Sequence, residues 1–174
     1  MKKEKISPLI SASEIKKIVK RLAKRISSDF KDEPIILIGI LKGSFIFLAD
    51  LLREIKNPVH VDFIRISSYG SSSKSCGKVQ ITNDADLNLK GKNVIIVEDI
   101  LDSGCSLNFL YKHLKAKKPK ILKTCVLIEK DVKRDAKIKI DYYGVKVPDL
   151  FIVGYGLDFD ERYRNKKGIY SILD

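Results

Sequence analysis

The sequence predicts an α/β fold: a central, mostly parallel, twisted sheet flanked by helices. Three observations carry this expectation. Ile35 to Ile40 and Val94 to Val97 are unbroken apolar runs without polar alternation, which is how strands covered on both faces of a parallel sheet read. After each run comes a polar turn containing glycine, Leu41-Lys42-Gly43-Ser44 in one case and Asp102-Ser103-Gly104-Cys105-Ser106 in the other, and then a helical pattern. Ile121 to Ile128 supplies a further buried run, completing a strand, helix, strand unit.

In chain order, Ser11 or Ser13 can cap a helix whose Ile15, Ile18, Val19, Leu22, Ala23 and Ile26 form one apolar stripe. Pro34 ends the linker to the strand Ile35 to Ile40, and the turn after it leads into a helix over Phe45 to Ile55. Val59 to Ser67 alternates, with Val61, Phe63 and Arg65 on one side and Asp62, Ile64 and Ile66 on the other, so it reads as a strand partly covered on both faces. The stretch 68–77, SYGSSSKSCG, is poor in apolar residues and rich in serine and glycine, the composition of a long flexible loop. Lys78 to Thr82 resumes a strand, Gly91 turns, and a helix over Leu107 to Ala116 carries the stripe Leu107, Leu110, Tyr111 and Leu114. Pro148 to Gly154 reads as a last core strand and Ile169 to Leu173 as a short terminal one.

At 174 residues, 44% of them apolar and 32% charged, the chain suits one domain spanning 1–174 and is not of disordered composition. Its longest apolar run, Ile35 to Leu41, is far too short to cross a bilayer, and the basic N-terminus lacks the apolar stretch of a signal peptide. No membrane partner is expected, and the cytoplasm is the expected compartment. Cys76, Cys105 and Cys125 are odd in number and lack metal-ligand spacing, so they suggest neither a disulfide framework nor a zinc site. The net charge of +12 is the compositional outlier. Two of the three short basic clusters, Lys16 to Arg25 and Lys115 to Lys123, fall on or beside helices with a core-facing stripe, which makes them solvated surface. No motif of nucleic-acid-binding spacing accompanies the charge.

The segment Asn93 to Asn108 concentrates the chemistry. Glu98 and Asp99 follow the apolar run at its carboxyl end, where ligands gather in open α/β sheets. As neighbours on a strand they point to opposite faces and can bracket a diol. Asp102, Ser103, Gly104, Cys105 and Ser106 then bring backbone N–H groups and hydroxyls to a helix start, a natural seat for a phosphate. Asp-Ser-Gly alone is mostly a capping turn; the series of strand, acid pair, loop and helix is far more specific. Cys105 lies where a thiol pKa can fall, although a bystander in a tolerant loop position describes it far better.

This segment resembles the phosphoribosyl pyrophosphate signature of purine phosphoribosyltransferases of the hypoxanthine-guanine type. Further motifs extend the resemblance over Ile35 to Arg164. Lys42 and Gly43 resemble the family's pyrophosphate loop, in which a non-proline cis peptide precedes the lysine. Val61 to Tyr69 resembles the strand entering a catalytic flap, with Ser68 and Tyr69 closing over the diphosphate. Lys130 matches a lysine that reads the 6-oxo group of the base, and Asp149 to Arg164 matches the final signature. There Phe151 stacks on the purine, backbone near Ile152 meets the ring edge, Asp158 approaches the base and a magnesium ion, and Arg164 clamps the pyrophosphate. The chain departs from the pattern at Ser103 and Ser106, where threonine is usual, and at Cys105, where a polar or basic residue is common.

The resemblance implies a type I phosphoribosyltransferase fold, with a flexible catalytic loop at 68–77 and a small hood built from the N-terminal segment and 149–174. It implies Mg2+ held by Glu98, Asp99 and Asp158, with phosphoribosyl pyrophosphate, hypoxanthine and guanine as substrates, and a homodimer or homotetramer. Asp102 is then the general base. Two rivals use the same fold: a regulator that binds nucleic acid through its basic surface, and an enzyme preferring xanthine.

Overall fold

The computed structural model describes residues 4–69, 78–134 and 138–173. Its elements run β1 (Lys5–Ile10), α1 (Ala12–Phe30), β2 (Ile35–Leu41), α2 (Phe45–Glu54), β3 (Val59–Tyr69), β4 (Lys78–Asn83), β5 (Asn93–Leu101), α3 (Cys105–Ala116), β6 (Ile121–Lys130), β7 (Tyr142–Val147), β8 (Ile152–Val153) and β9 (Ile169–Leu173). Six strands form the main sheet in the order β4-β3-β2-β5-β6-β7, and β1, β9 and β8 form a smaller sheet. Every pairing from β3 through β7 is parallel, and only the edge strand β4 runs antiparallel. The expected α/β class and mostly parallel sheet are what the chain adopts.

Alternation along the strands explains the layering. Ile35, Leu37, Ile95 and Val97 face one way and pack with α1 and α2; Ile36, Ile38, Ile40, Val94 and Ile96 face the other way and pack with Leu107, Leu110 and Leu114 of α3. Both faces are therefore dry, which is why these strands show no polar alternation. Burying each such side chain contributes roughly 1.5 to 3 kcal/mol. Of the two candidate caps for α1, Ser11 is used: its Oγ accepts from Glu14 N, and Glu14 Oε2 accepts from Ser11 N at 2.9 Å, a closed capping box.

The order places β2 between β3 and β5, so the chain leaves β2 in one direction and returns on its other side. Such a reversal leaves a crevice at the carboxyl ends of the two strands. Because Gly39 pairs with Val97, the turn after β2 and the acids of β5 emerge side by side.

Three expectations need correction. Pro148 to Gly154 is not a core strand; only Ile152–Val153 is extended, and it pairs with β9 in the smaller sheet. β7 fills that core position instead, and its Gly144 and Lys146 disguise it by interrupting the apolar pattern. A Cβ at Gly144 would lie 2.3 Å from the carbonyl of Leu127, so the neighbouring strand requires glycine there. β1 is hidden similarly by Pro8, where its pairing with β9 shifts register. Of the loop expected at 68–77, residues 70–77 lie outside the described residues, and its first two residues are strand instead. Ser68 and Tyr69 are the last residues of β3.

Candidate active site

The turn after β2 is squeezed between two other parts of the chain. Its Leu41-Lys42 peptide is cis, as the resemblance implies. A Cβ placed on Gly43 would lie 1.8 Å from Asp99 Oδ2, so the carboxylate of β5 rests directly on the glycine backbone. From the other side comes Gly156, whose φ of +102° already favours glycine; a Cβ there would lie 2.2 Å from the Gly43 carbonyl oxygen. Two glycines thus let a loop, an acid and a second loop meet.

Glu98 and Asp99 share an electrostatic problem. Burial pushes both carboxyls up: Glu98 stands well above the ordinary range, with the Asp99 charge adding to burial, and Asp99 moves from 3.8 to about 6. Hydrogen bonds from its own and the next backbone N–H, together with the Arg164 charge, hold Asp99 below where burial alone would put it. Glu98 Oε2 is buried with no hydrogen-bond partner among the described residues. A buried carboxylate pair with an unmet oxygen suits sugar hydroxyls or a cation.

Beyond β5 the loop curls into a cavity of about 110 Å3 lined by Glu98, Ile100, Leu101, Asp102, Ser103, Gly104, Ser106 and Leu107. Gly104 caps α3 at φ +78° without a side-chain hydrogen bond, and Ser103 Oγ accepts from Cys105 N at 3.4 Å. The helix start keeps backbone donors for an anion. Cys105 is disulfide-linked, which corrects the expectation that the cysteines form no disulfide. Cys125 is a buried free thiol whose pKa burial raises. A larger cavity, about 510 Å3, opens between α1, α2 and residues 165–167, away from these groups.

Lys130 closes β6 beside this loop. Its ammonium lies 3.2 Å from Asp102 Oδ2 and 3.1 Å from Asp149 Oδ1, and only 11% of its side chain is exposed. Burial disfavours the charge, but the two carboxylates outweigh burial and hold its pKa above the ordinary lysine value. Phe151, two residues beyond Asp149, is 54% exposed, and Phe159 meets its ring edge-on with centroids 5.4 Å apart. An exposed phenyl ring can stack on a flat ring, and a largely buried ammonium can donate to a carbonyl. Ile152 is buried as β8.

Arg164 donates Nη1 to the Gly156 carbonyl at 2.8 Å, and its Nη2 lies 2.8 Å from Asp158 Oδ1 and 3.1 Å from Glu161 Oε2. Glu161 Oε1 in turn accepts from Lys42 Nζ at 2.8 Å. The two cations expected at a pyrophosphate are thus brought together. Asp158 is spent on Arg164 and on the Glu161 N–H. It does not join Glu98 and Asp99 in a three-ligand metal cluster, and no such cluster occurs among the described residues. Glu4 of the N-terminal segment steadies the region by accepting from Tyr163 Oη and Arg162 Nη2, which depress its carboxyl to about 2.

Four participants escape sequence reasoning. Arg134 donates Nε to the Asp102 carbonyl at 2.9 Å, Nη1 to Glu129 Oε1 at 2.7 Å, and Nη2 to the Lys130 carbonyl, so one guanidinium joins the phosphate loop to the end of β6. Asp149, Glu161 and Gly156 are the others. These three lie inside the signature segment Asp149 to Arg164 but are not singled out within it, where Gly-Tyr-Gly marks only Gly156.

A crevice at a topological switch point, with a glycine-capped helix start, an acid pair and two facing cations, has the chemistry of an enzyme site for a phosphorylated sugar. Residues 10–160 match the family model described as phosphoribosyl transferase domain. The chain is 45% identical over 172 residues to the hypoxanthine-guanine phosphoribosyltransferase of Aquifex aeolicus, covering 98% of this chain and 97% of that one. It superposes on the hypoxanthine-guanine phosphoribosyltransferase of Bacillus anthracis with a TM-score of 0.93 at 48% identity, over 98% of this chain and 100% of the other. With a ternary substrate complex of the Trypanosoma cruzi hypoxanthine phosphoribosyltransferase the TM-score is 0.89 at 38% identity, covering 95% and 94%. The chain belongs to the phosphoribosyltransferase family and is an enzyme of that family.

Proposed function

We propose that this enzyme serves purine salvage, transferring the 5-phosphoribosyl group of phosphoribosyl pyrophosphate to hypoxanthine or guanine and releasing IMP or GMP with pyrophosphate. One observation carries the choice of base: the Lys130 ammonium is held between Asp102 and Asp149, and Phe151, two residues beyond Asp149, leaves its ring exposed. An ammonium only donates. It meets a 6-oxo group well and has nothing to offer the 6-amino group of adenine, while Phe151 stacks on the ring and backbone near Ile152 meets its edge.

The remaining residues follow from charge. The 5′-phosphate takes the α3 start with Ser103, Gly104, Cys105 and Ser106, and Glu98 and Asp99 hold the ribose hydroxyls. Lys42 and Arg164 receive the diphosphate over the Gly43 backbone, and Ser68 and Tyr69 cover it. As the bond from C1′ to pyrophosphate breaks and the bond to the purine nitrogen forms, positive charge grows on the ribose ring, and the carboxylates below it offset that charge. Asp102 accepts the proton that the five-membered ring of the base gives up. Lys130 restrains Asp102 by pairing with it, and a 6-oxo base that takes up the ammonium eases that restraint.

Magnesium fits this donor set. Mg2+ keeps several waters and binds through one or two carboxylates plus substrate phosphates, so it needs no protein cage. Glu98, beside Asp99, carries the unmet buried oxygen that a cation would satisfy, and Asp158 would have to leave Arg164 to join them. When bound, the ion would neutralise the departing diphosphate.

No helix among the described residues is long and apolar enough to cross a membrane; the cytoplasm is the compartment proposed for the enzyme. A homodimer or homotetramer accompanies the family resemblance, and light scattering measures it. The deciding experiment is incubation with phosphoribosyl pyrophosphate, Mg2+ and, in turn, hypoxanthine, guanine, xanthine and adenine. Nucleotide should form with the first two and not with adenine; no nucleotide from any base sinks the proposal.

A further inference from the structure

We propose that Glu161 is an internal competitor for the pyrophosphate subsite: its carboxylate occupies Lys42 and Arg164, yields them to an incoming diphosphate, and helps expel pyrophosphate by taking them back. The inference rests on the assignment of those cations to the pyrophosphate.

Each oxygen of this one carboxylate serves a different cation. Oε1 accepts from Lys42 Nζ at 2.8 Å, and Oε2 accepts from Arg164 Nη2 at 3.1 Å. The cations come from separate elements, the turn after β2 and the segment before β9, so an anion that spans them is doing what two diphosphate oxygens would do. The main chain at Glu161 is tethered, with φ at +58° and its N–H donating to Asp158 Oδ2 at 2.9 Å. Its side chain is 65% exposed, so the carboxylate can swing into water without moving the backbone.

The partners behave unequally when Glu161 lets go. Arg164 remains anchored by the Gly156 carbonyl and Asp158, and its Nε is buried without a partner among the described residues, a donor unused by Glu161. Lys42 has 47% of its side chain exposed, and Glu161 is its one ion-pair partner among the described residues. Exposed ion pairs are weak, whereas hydrogen bonds from guanidinium and ammonium to a multiply charged diphosphate are strong, so the substrate wins the exchange. After the transfer the contest repeats against free pyrophosphate, which no longer has the ribose to hold it. A tethered carboxylate then lowers its affinity and speeds its loss.

The test uses pyrophosphate itself. Isothermal titration of the full chain with magnesium pyrophosphate should give about threefold to tenfold tighter binding for Glu161→Gln and Glu161→Ala than for the unaltered protein, the scale of losing exposed ion pairs from the competition. Rapid-mixing kinetics should show slower pyrophosphate release in both variants, with the KM for hypoxanthine unchanged. Equal or weaker binding in the variants, with pyrophosphate still bound by the unaltered chain, overturns the role of Glu161 and leaves the enzyme assignment standing. Failure of the unaltered chain to bind pyrophosphate overturns both.

Discussion

The two halves of the site solve the problem of charge in opposite ways. Toward the end of β5, Asp99 is buried and Glu98 half-buried, burial raises both carboxyl pKa values, and one Glu98 oxygen has no partner among the described residues. In the other half, by contrast, the site charges are neutralised by neighbours: Lys130 by Asp102 and Asp149, Arg164 by Asp158 and Glu161, Lys42 by Glu161. The first half is held rigid by the core and waits for a ligand to relieve it. The second half satisfies itself and must exchange partners before it can bind. Preorganisation and exchangeability are thus allotted to different segments, and the contrast can be tested one residue at a time.

The largest effect should come where the halves touch, at Asp102. Replacing it with alanine removes the proposed proton acceptor and frees Lys130, and kcat should fall by ~100- to 10,000-fold. The KM for phosphoribosyl pyrophosphate should change little, because the phosphate loop's backbone donors remain. Near-normal turnover in steady-state assays would remove Asp102 from the chemistry.

Next is the energetic cost of the buried half. A carboxyl raised from 3.8 to about 6 binds its proton more tightly in the folded chain than in the unfolded one. Its contribution is therefore fully present below pH 4 and is lost as the pH rises to about 6. Two pKa units correspond to roughly 3 kcal/mol. Asp99→Asn, measured by urea denaturation without added ligand, should be more stable than the unaltered protein at pH 7.5 by on the order of 2 kcal/mol. It should also show a flatter stability profile between pH 4 and 6, while losing activity. An unchanged slope would mean that Asp99 is not strained. The same experiment on Glu161, whose pKa is lowered by Lys42 and then Arg164, should show no such gain.

A smaller loss is expected from Gly43→Ala. The added methyl group meets Asp99 Oδ2 and cannot retreat, because Gly156 closes the other side. Affinity for phosphoribosyl pyrophosphate should drop by about 30-fold through displacement of the carboxylate and the turn. Wild-type affinity would show that the turn relaxes freely and that this half is softer than its packing implies.

The same contrast governs what could be read in advance. The buried half is local in sequence: apolar runs without alternation, acids at a strand end and a glycine loop before a helix are contiguous, so physics and order coincide. Ser11, Glu98, Asp99, Gly104 and the βαβ unit were all legible for that reason. The exchangeable half is made by long-range pairing. Nothing in the string joins Lys42 to Glu161 or Arg134 to Asp102, and these contacts exist only because β2, β6 and the final segment converge. Asp158 was expected with the acid pair, yet it pairs with Arg164, because a carboxylate six residues before an arginine in a tight turn meets the guanidinium first. β7 was missed for a different reason: Gly144 is demanded by the approach of Leu127, and that demand lies in another strand.

The finest test of the contrast is Arg134, which belongs to neither half and joins them. Its guanidinium reaches the Asp102 carbonyl, the Glu129 carboxylate and the Lys130 carbonyl, so it sets the distance between the proton acceptor and the lysine without touching either functional group. Arg134→Gln should lower kcat/KM for hypoxanthine about tenfold, since a displacement well below 1 Å between such groups is costly. Arg134→Lys should not restore the activity, because one ammonium cannot reach all three acceptors with a guanidinium's geometry. Pyrophosphate affinity should stay constant in both variants, as Lys42, Gly43 and Arg164 make no contact with Arg134. If pyrophosphate binding weakens in step with activity, Arg134 is supporting the whole crevice, and the division between a rigid half and an exchangeable half fails at the point where the two are joined.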